Sequence, residues 1–186
     1  ANNGTITDDG QGNFTFSPDS DFNGKVTLSY VVSDPDGGRT LASTSFDITA
    51  ANDAPIQGLG SDITIPLPNI QEDTQLSFSS GDLLIGFSDI DGDALTVENL
   101  ALDDESQGVL TGNAADGWTF SPTADFNGTV ALSYDVSDGN TITTGSAAFD
   151  VLAVNDAPLT AETIDLGSIQ EDSSFNISQA QLLAGV

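Results

Sequence analysis

The feature that most constrains this chain is that it repeats itself. A shift of 104 residues lays Gly4–Asp34 on Gly108–Asp138 without a gap, so that "FTFSPDSDFNGKVTLSYVVSD" meets "WTFSPTADFNGTVALSYDVSD". At a shift of 103 the two copies of "NDAP", Asn52–Pro55 and Asn155–Pro158, coincide. At 99, "IQEDTQLSFSSGDLLIGF" meets "IQEDSSFNISQAQLLAGV". A period near one hundred is too long for a solenoid unit and suits one domain per repeat. The chain then holds residues 1–51 as the C-terminal part of one repeat, 52–154 as a complete repeat and 155–186 as the N-terminal part of the next. It begins and ends mid-pattern with no leader peptide visible, and so reads as an excerpt of something longer.

Within the complete repeat, short stretches rich in β-branched and aromatic residues alternate with turn residues. They are "DITIPL", "TQLSFS", "ALTVENLAL", "GVLTGN", "GWTFSP", "TVALSYDVS" and "SAAFDVLAV". About seven such strands in one hundred residues predict an all-β fold, an antiparallel β-sandwich of immunoglobulin-like or cadherin-like topology, repeated in tandem. In "TVALSYDVS", Val130, Leu132, Tyr134 and Val136 share one face while Asp135 takes the other, the period of a half-buried strand. "GDLLIGF" reads as one helical turn. The two "DFNG" segments, Asp21–Gly24 and Asp125–Gly128, read as tight turns in preference to ligands, because Asp and Asn cap a turn and Gly accepts positive φ.

Charge narrows the function. Lys25 and Arg39 are the only basic residues against 29 acids, a formal charge of −27. Such a chain has no positive surface with which to release counterions from nucleic acid or to meet anionic lipid. It repels itself and needs cations, bound or diffuse. Asp outnumbers Glu 24 to 5, and short-armed carboxylates beside Gly and Asn are what calcium loops use. There is no Cys, Met or His, so disulfides, zinc and haem have no ligands. No apolar run approaches the ~20 residues of a membrane-spanning helix.

The succession "NDAP", "EDT", "SDIDGDALTV", "FSPTADFNGTVALSYDVSDG" and again "NDAP" resembles the cadherin-like tandem repeats of large bacterial surface proteins, including RTX-type adhesins. The resemblance covers essentially the whole chain. It implies calcium-stiffened β-sandwich modules in an extracellular stalk at the cell surface or in a secreted protein. The glycine-rich RTX nonapeptide is absent, which places this piece in a stalk and away from an export signal.

The residues point to calcium on their own account. Asp89, Asp91 and Asp93 in "DIDGD" crowd three carboxylates, and a like-charge pair at ~4 Å costs about 4 kcal/mol at an effective dielectric of 20. An EF-hand fails here, because Ala94 and Leu100 stand where Gly and Glu are required. In a sandwich, "DIDGD" meets the incoming linker Asn52–Asp53 at one pole, with Asp138 nearby. Glu72–Asp73 meets the outgoing linker Asn155–Asp156 at the other. One Ca²⁺ cluster is expected at each junction. The first would use Asn52, Asp53, Asp89, Asp91 and Asp93 with acids from the Asp21 pole; the second, Glu72, Asp73, Asn155 and Asp156, completed by an acidic loop of the next repeat. The plainer alternatives stay open: "DIDGD" as a solvated turn, and Glu72–Asp73 and Asp103–Glu105 as acidic turns. Pro55 and Pro158 fix φ and disfavour helix at the preceding alanine, which predicts a restricted hinge.

Three functions compete. The first is an extender module of a bacterial adhesin that projects a distal binding domain, with adjacent repeats of its own polypeptide, or neighbouring chains completing the half-repeats, as partners. The second is a calcium-dependent glycan- or protein-binding module, for which Trp118 is the main stacking candidate. Trp118 aligns with Phe14 at a repeated strand position, which favours core packing. The third, a carboxylate-pair hydrolase, lacks a marked pocket and a base histidine, and its acids recur with the repeat. A non-enzymatic role is expected.

Overall fold

The computed structural model describes residues 3–58, 63–157 and 164–183. It is built mainly of antiparallel β-structure. The repeat of residues 52–154 contains β5 (Ile56–Gln57), β6 (Ile65–Pro66), β7 (Ile70–Gln71), β8 (Leu76–Phe78), β9 (Phe87–Ser88), β10 (Thr96–Leu102), β11 (Gly108–Asn113), β12 (Gly117–Pro122), β13 (Gly128–Ser137) and β14 (Ile142–Leu152). One sheet runs β10-β13-β14-β6, with β7 also on β14; the other runs β11-β12-β8. Each of the seven stretches expected to be strands contains one, although β14 starts earlier than expected, at Ile142.

Three short strands, β5, β7 and β9, went unforeseen, and β7 exists because prolines divide an edge strand. Pro66 and Pro68 cannot donate to a ladder. The edge strand is therefore split into β6 and β7, both parallel to β14. Asn69 spans the break by accepting the Asp150 backbone N–H at 2.9 Å. The opposite edge, β10, is interrupted by a bulge between Glu98 and Ala101, where Asn99 takes φ 52° and donates to Asp135. Both edges are thereby blunted against further pairing.

The expected face of β13 is the core. Val130, Leu132, Tyr134 and Val136 are buried against Leu76, Phe78, Trp118, Phe120 and Phe149. Phe120 and Phe149 meet edge to face with centroids 5.2 Å apart. The helical turn α1 (Ser80–Leu83) is held by the Asp82 carboxylate, which accepts from both the backbone and the hydroxyl of Ser79. It delivers Leu83 into the core, and the Leu83 carbonyl accepts the Tyr134 hydroxyl at 2.8 Å. Burial pushes that phenol up to about 12. Gly145, opposite Tyr134, is required by close approach, since a Cβ there would lie 2.4 Å from the ring.

Residues 4–48 reproduce half of this architecture. Strands β1 (Gly4–Asp8) and β2 (Phe14–Pro18) form one hairpin; β3 (Gly24–Ser33) and β4 (Arg39–Ile48) form another. Phe16 meets Phe46 edge to face at 5.4 Å, the counterpart of Phe120 on Phe149. Residues 164–183 contain the helical turn α2 (Gln179–Leu182) and, among the described residues, no strand. Pro158 lies outside the described residues. Among those described, no helix is long and apolar enough to cross a membrane.

Candidate metal centres at the two module junctions

Strand β13 sets the axis of the complete repeat. Its ten residues span roughly 30 Å. Its C-terminal end carries Asp138, and its N-terminal end begins three residues after Asp125. Because Gly128 pairs with Val151, the outgoing linker lies at the Asp125 end, and the Asn52 amide, which donates to Asp138, places the incoming linker at the Asp138 end.

At the incoming pole, "DIDGD" forms a tight loop on Asp89, whose Oδ1 accepts the backbone N–H groups of Asp91 and Asp93. One carboxylate oxygen from each of Asp89, Asp91 and Asp93 lies within 4.8 Å of the others. Asp89 Oδ2 is shielded from solvent and, among the described residues, has no hydrogen-bond donor. The linker joins this loop through the Asp53 backbone N–H, which donates to Asp91 Oδ2 at 2.8 Å. Shallow depressions around it are lined by Asp19, Asp21 and Asn23 on the upstream side and by Asp53, Asp91 and Asp93 on the downstream side. Partial loss of solvation, followed by the carboxylates of Asp21, Asp91 and Asp89, holds the Asp53 carboxyl above its ordinary value. Residues 52–157 contain no Lys, Arg or His, so no side chain there can neutralise the cluster. A shielded carboxylate oxygen without a donor, aimed among hard oxygen ligands, fits a calcium ion. In that reading Asp89, Asp91, Asp93, Asp53 and Asp21 would hold it, and its two positive charges would offset their mutual repulsion.

Asp138 comes to this pole in a different capacity. Its Oδ1 accepts the backbone N–H groups of Asn140 and Thr141. Its Oδ2 accepts the Thr141 hydroxyl and the Asn52 amide. These bonds, led by the Thr141 hydroxyl, hold its carboxyl far below the usual range. Its lone pairs are occupied, so in this arrangement it seats the linker and offers no oxygen to a cation. Asn52 is likewise spent on orientation, receiving Asn140 on its carbonyl oxygen. The Pro55 side chain is fully buried, and its carbonyl accepts the Thr143 hydroxyl. The expected hinge at "NDAP" is therefore displaced: from Asn52 onward the linker is fastened to the module that follows it.

At the outgoing pole, Glu72 is buried. Its backbone N–H donates to Leu152, and its carboxylate accepts the Val154 N–H. It thus holds the departing chain as Asp138 holds the arriving one. Asp73 follows with φ 65°, a left-handed conformation that Asp tolerates better than most residues. Asn155 donates its amide to the Asp156 carbonyl at 2.9 Å, as Asn52 does to Asp53. Partial desolvation, then Asp125, Glu72 and Asp73, raise the Asp156 carboxyl. The structure thus brings Glu72, Asp73 and Asp156 together and adds Asp125. Asp125 was read as a turn residue, and it is one: Phe126 donates back to Thr123, and Asp125 sits at φ 57°. It also faces the linker, and Asp21 does the same at the first junction. The signal that could have found it is the strand pairing, because the foot of β13 lies beside the outgoing chain. Asp103–Glu105 follows the plainer reading. Asp104 caps a short 3-10 turn at Glu105–Gln107 by accepting from Ser106.

The family model described as a cadherin-like domain matches residues 1–49 and again residues 51–152. Comparison with curated proteins finds no match. Among solved structures, the endo-fucoidan hydrolase MfFcnA4 from glycoside hydrolase family 107 is similar over 83% of this chain and 23% of its own, at 21% identity and a TM-score of 0.39. The endo-fucoidan hydrolase MfFcnA9 of the same family is similar over 81% of this chain and 26% of its own, at 20% identity and a TM-score of 0.33. This chain spans about a quarter of the length of those two proteins.

Proposed function

The chain belongs to the cadherin-like domain family, and from that footing we propose that it is a non-catalytic extender segment of a bacterial cell-surface adhesin. Calcium at each junction locks successive sandwiches into a rod that holds a distal binding region away from the cell. One observation carries this reading. At each end of the complete repeat a linker aspartate lies among other carboxylates: Asp53 near Asp21 of the preceding module and Asp91 and Asp89 of its own, and Asp156 near Asp125, Glu72 and Asp73 of the module before it. A catalytic pair would occur once, whereas the pairing of a linker aspartate with a turn aspartate recurs, as Asp53 with Asp21 and as Asp156 with Asp125.

The linkers support a stiff junction. Glu72 grips Val154 from upstream, and by the repeat's own register Asn155 corresponds to Asn52, which Asp138 grips from downstream. The freely rotating part of a junction then shrinks to the bonds between those two residues. Calcium would hold that short pivot and remove the repulsion that splays it. Trp118 is buried against Phe78 with ring centroids 6.0 Å apart, so a sugar-stacking role draws no support from it.

The test is a melting curve and small-angle scattering of the full chain, in calcium and in chelator. A higher melting temperature together with a longer, narrower particle in calcium is expected. Identical stability and shape in both conditions would rule the reading out.

A further inference from the structure

The backbone of Asp53 is gripped at both of its polar groups. Its N–H donates to Asp91 Oδ2 at 2.8 Å, and its carbonyl accepts the Asn52 side-chain amide at 2.9 Å. The same amide donates to Asp138 Oδ2 at 2.9 Å, while the Asn52 carbonyl oxygen accepts the Asn140 amide at 2.9 Å. Asp138 is fixed in turn by Thr141, whose backbone N–H and hydroxyl donate to its two carboxylate oxygens at 2.6 Å each. A continuous series of hydrogen bonds thus runs from a hydroxyl in the β13–β14 hairpin to the direction in which Asp53 presents its carboxylate.

The hairpin of the preceding module has no such hydroxyl. There Ser33 pairs with Arg39, and Gly38 stands before Arg39 as Thr141 stands before Ile142. Asp34 accepts the Gly38 backbone N–H at 2.7 Å, and a Cβ at Gly38 would lie 2.5 Å from Asp34 Oδ2. That loop has no room for the side chain that holds Asp138.

We propose that Thr141 and Asp138 are positioning residues for calcium at the first junction. They hold Asn52, and Asn52 turns the Asp53 peptide so that its carboxylate meets Asp89 and Asp91. A ligand already oriented loses less freedom when the ion arrives, and partners behind the ligands therefore set affinity without touching the metal. This rests on the calcium reading and adds which residues tune that site. The two roles open to Asp138 predict opposite results. As a ligand, it would gain a free oxygen when the Thr141 hydroxyl is removed, and binding would hold or tighten. As a positioning residue it loses its own anchor, and binding weakens.

The test is calorimetric titration of the full chain with calcium, well below the melting temperature of each variant. The binding lost in Asp91→Asn with Asp93→Asn identifies the first junction, and the second junction, which the latch substitutions leave untouched, is the internal reference. Thr141→Val should weaken calcium at the first junction about 10-fold. Thr141→Ser, which keeps the hydroxyl, should restore it, and Thr141→Ala serves as a second variant if valine disturbs the hairpin. Thr141→Val combined with Asp138→Asn should bind no more weakly than the weaker single variant, because the two act through one series of bonds. Unchanged or tighter binding in both Thr141→Val and Thr141→Ala overturns the proposal and leaves the calcium reading standing. So does a failure of Thr141→Ser to restore binding. Absence of calcium binding by the unmodified chain overturns both.

Discussion

Asn52 and Asp138 are 86 residues apart in sequence, yet the Asn52 side-chain amide donates to the Asp138 carboxylate at 2.9 Å. That bond ties the linker to the tip of β13 and β14 and makes "NDAP" part of the module it precedes. Asn52→Ala would remove this bond and those to Thr141 and Asn140. A loss of about 1–2 kcal/mol is expected, small per bond because solvent replaces part of what is removed. Urea unfolding of the variant would read it as a lower midpoint at an unchanged slope.

Stability should depend on pH in two opposed ways. The Asp138 carboxyl is depressed in the fold. Its contribution is therefore present above its unfolded value of 3.8 and is lost as pH falls below that towards the folded value. The Asp53 and Asp156 carboxyls are raised. Ionising them costs stability above their folded values, and protonation relieves that cost as pH falls towards 3.8. In chelator, melting temperature should rise on acidification from neutrality as the Asp53 and Asp156 carboxyls take up protons, and should fall again below 3.8 as the Asp138 contribution is lost. A monotonic decline would show that the junction carboxylates carry no strain. In calcium the rise should vanish.

Calcium at one hundred times its dissociation constant would add ~2.7 kcal/mol per site. Asp91→Asn with Asp93→Asn should remove most of the gain at the first junction, and Asp125→Asn should reduce that at the second. Asp104→Asn, at the 3-10 turn, should leave the calcium response intact. Calorimetric titration of each variant separates these outcomes.

The core bond between Tyr134 and Leu83 offers a test independent of any ion. Tyr134→Phe strands a buried carbonyl and should cost about 1–3 kcal/mol. Gly145→Ala forces a Cβ against the Tyr134 ring, and overpacking of that kind costs typically ~1–3 kcal/mol. Chemical denaturation should show both, with the same loss in calcium and in chelator.

Much of this was legible before any coordinates. The alternation along Val130, Leu132, Tyr134 and Val136 named the core face, because a strand's side chains alternate by geometry alone. The spacing of the two "NDAP" copies marked one module. Asp89, Asp91 and Asp93 stood out because no solvent-facing turn gains from crowding three like charges. Asp125, by contrast, was hidden inside a good turn motif, and Asp138, expected as a metal ligand at the incoming pole, is taken up by donors from Asn140, Thr141 and Asn52. Their roles depend on which strand ends meet, which local residue preferences do not encode.

Sequence by itself determined the repeat, the β-sandwich class, the buried face of β13 and the excess of negative charge, since periodicity and charge are properties of the chain. Only the tertiary structure decided what each acid does. Pairing Gly128 with Val151 set Asp125 beside the outgoing linker, and pairing Ser137 with Ile142 set Asp138 under Asn52. One carboxylate was left among its own kind; the other was filled with donors. The difference lies in the neighbours that strand register supplies across long separations, where hydrogen bonds and repulsion are settled by distance in space and not along the chain.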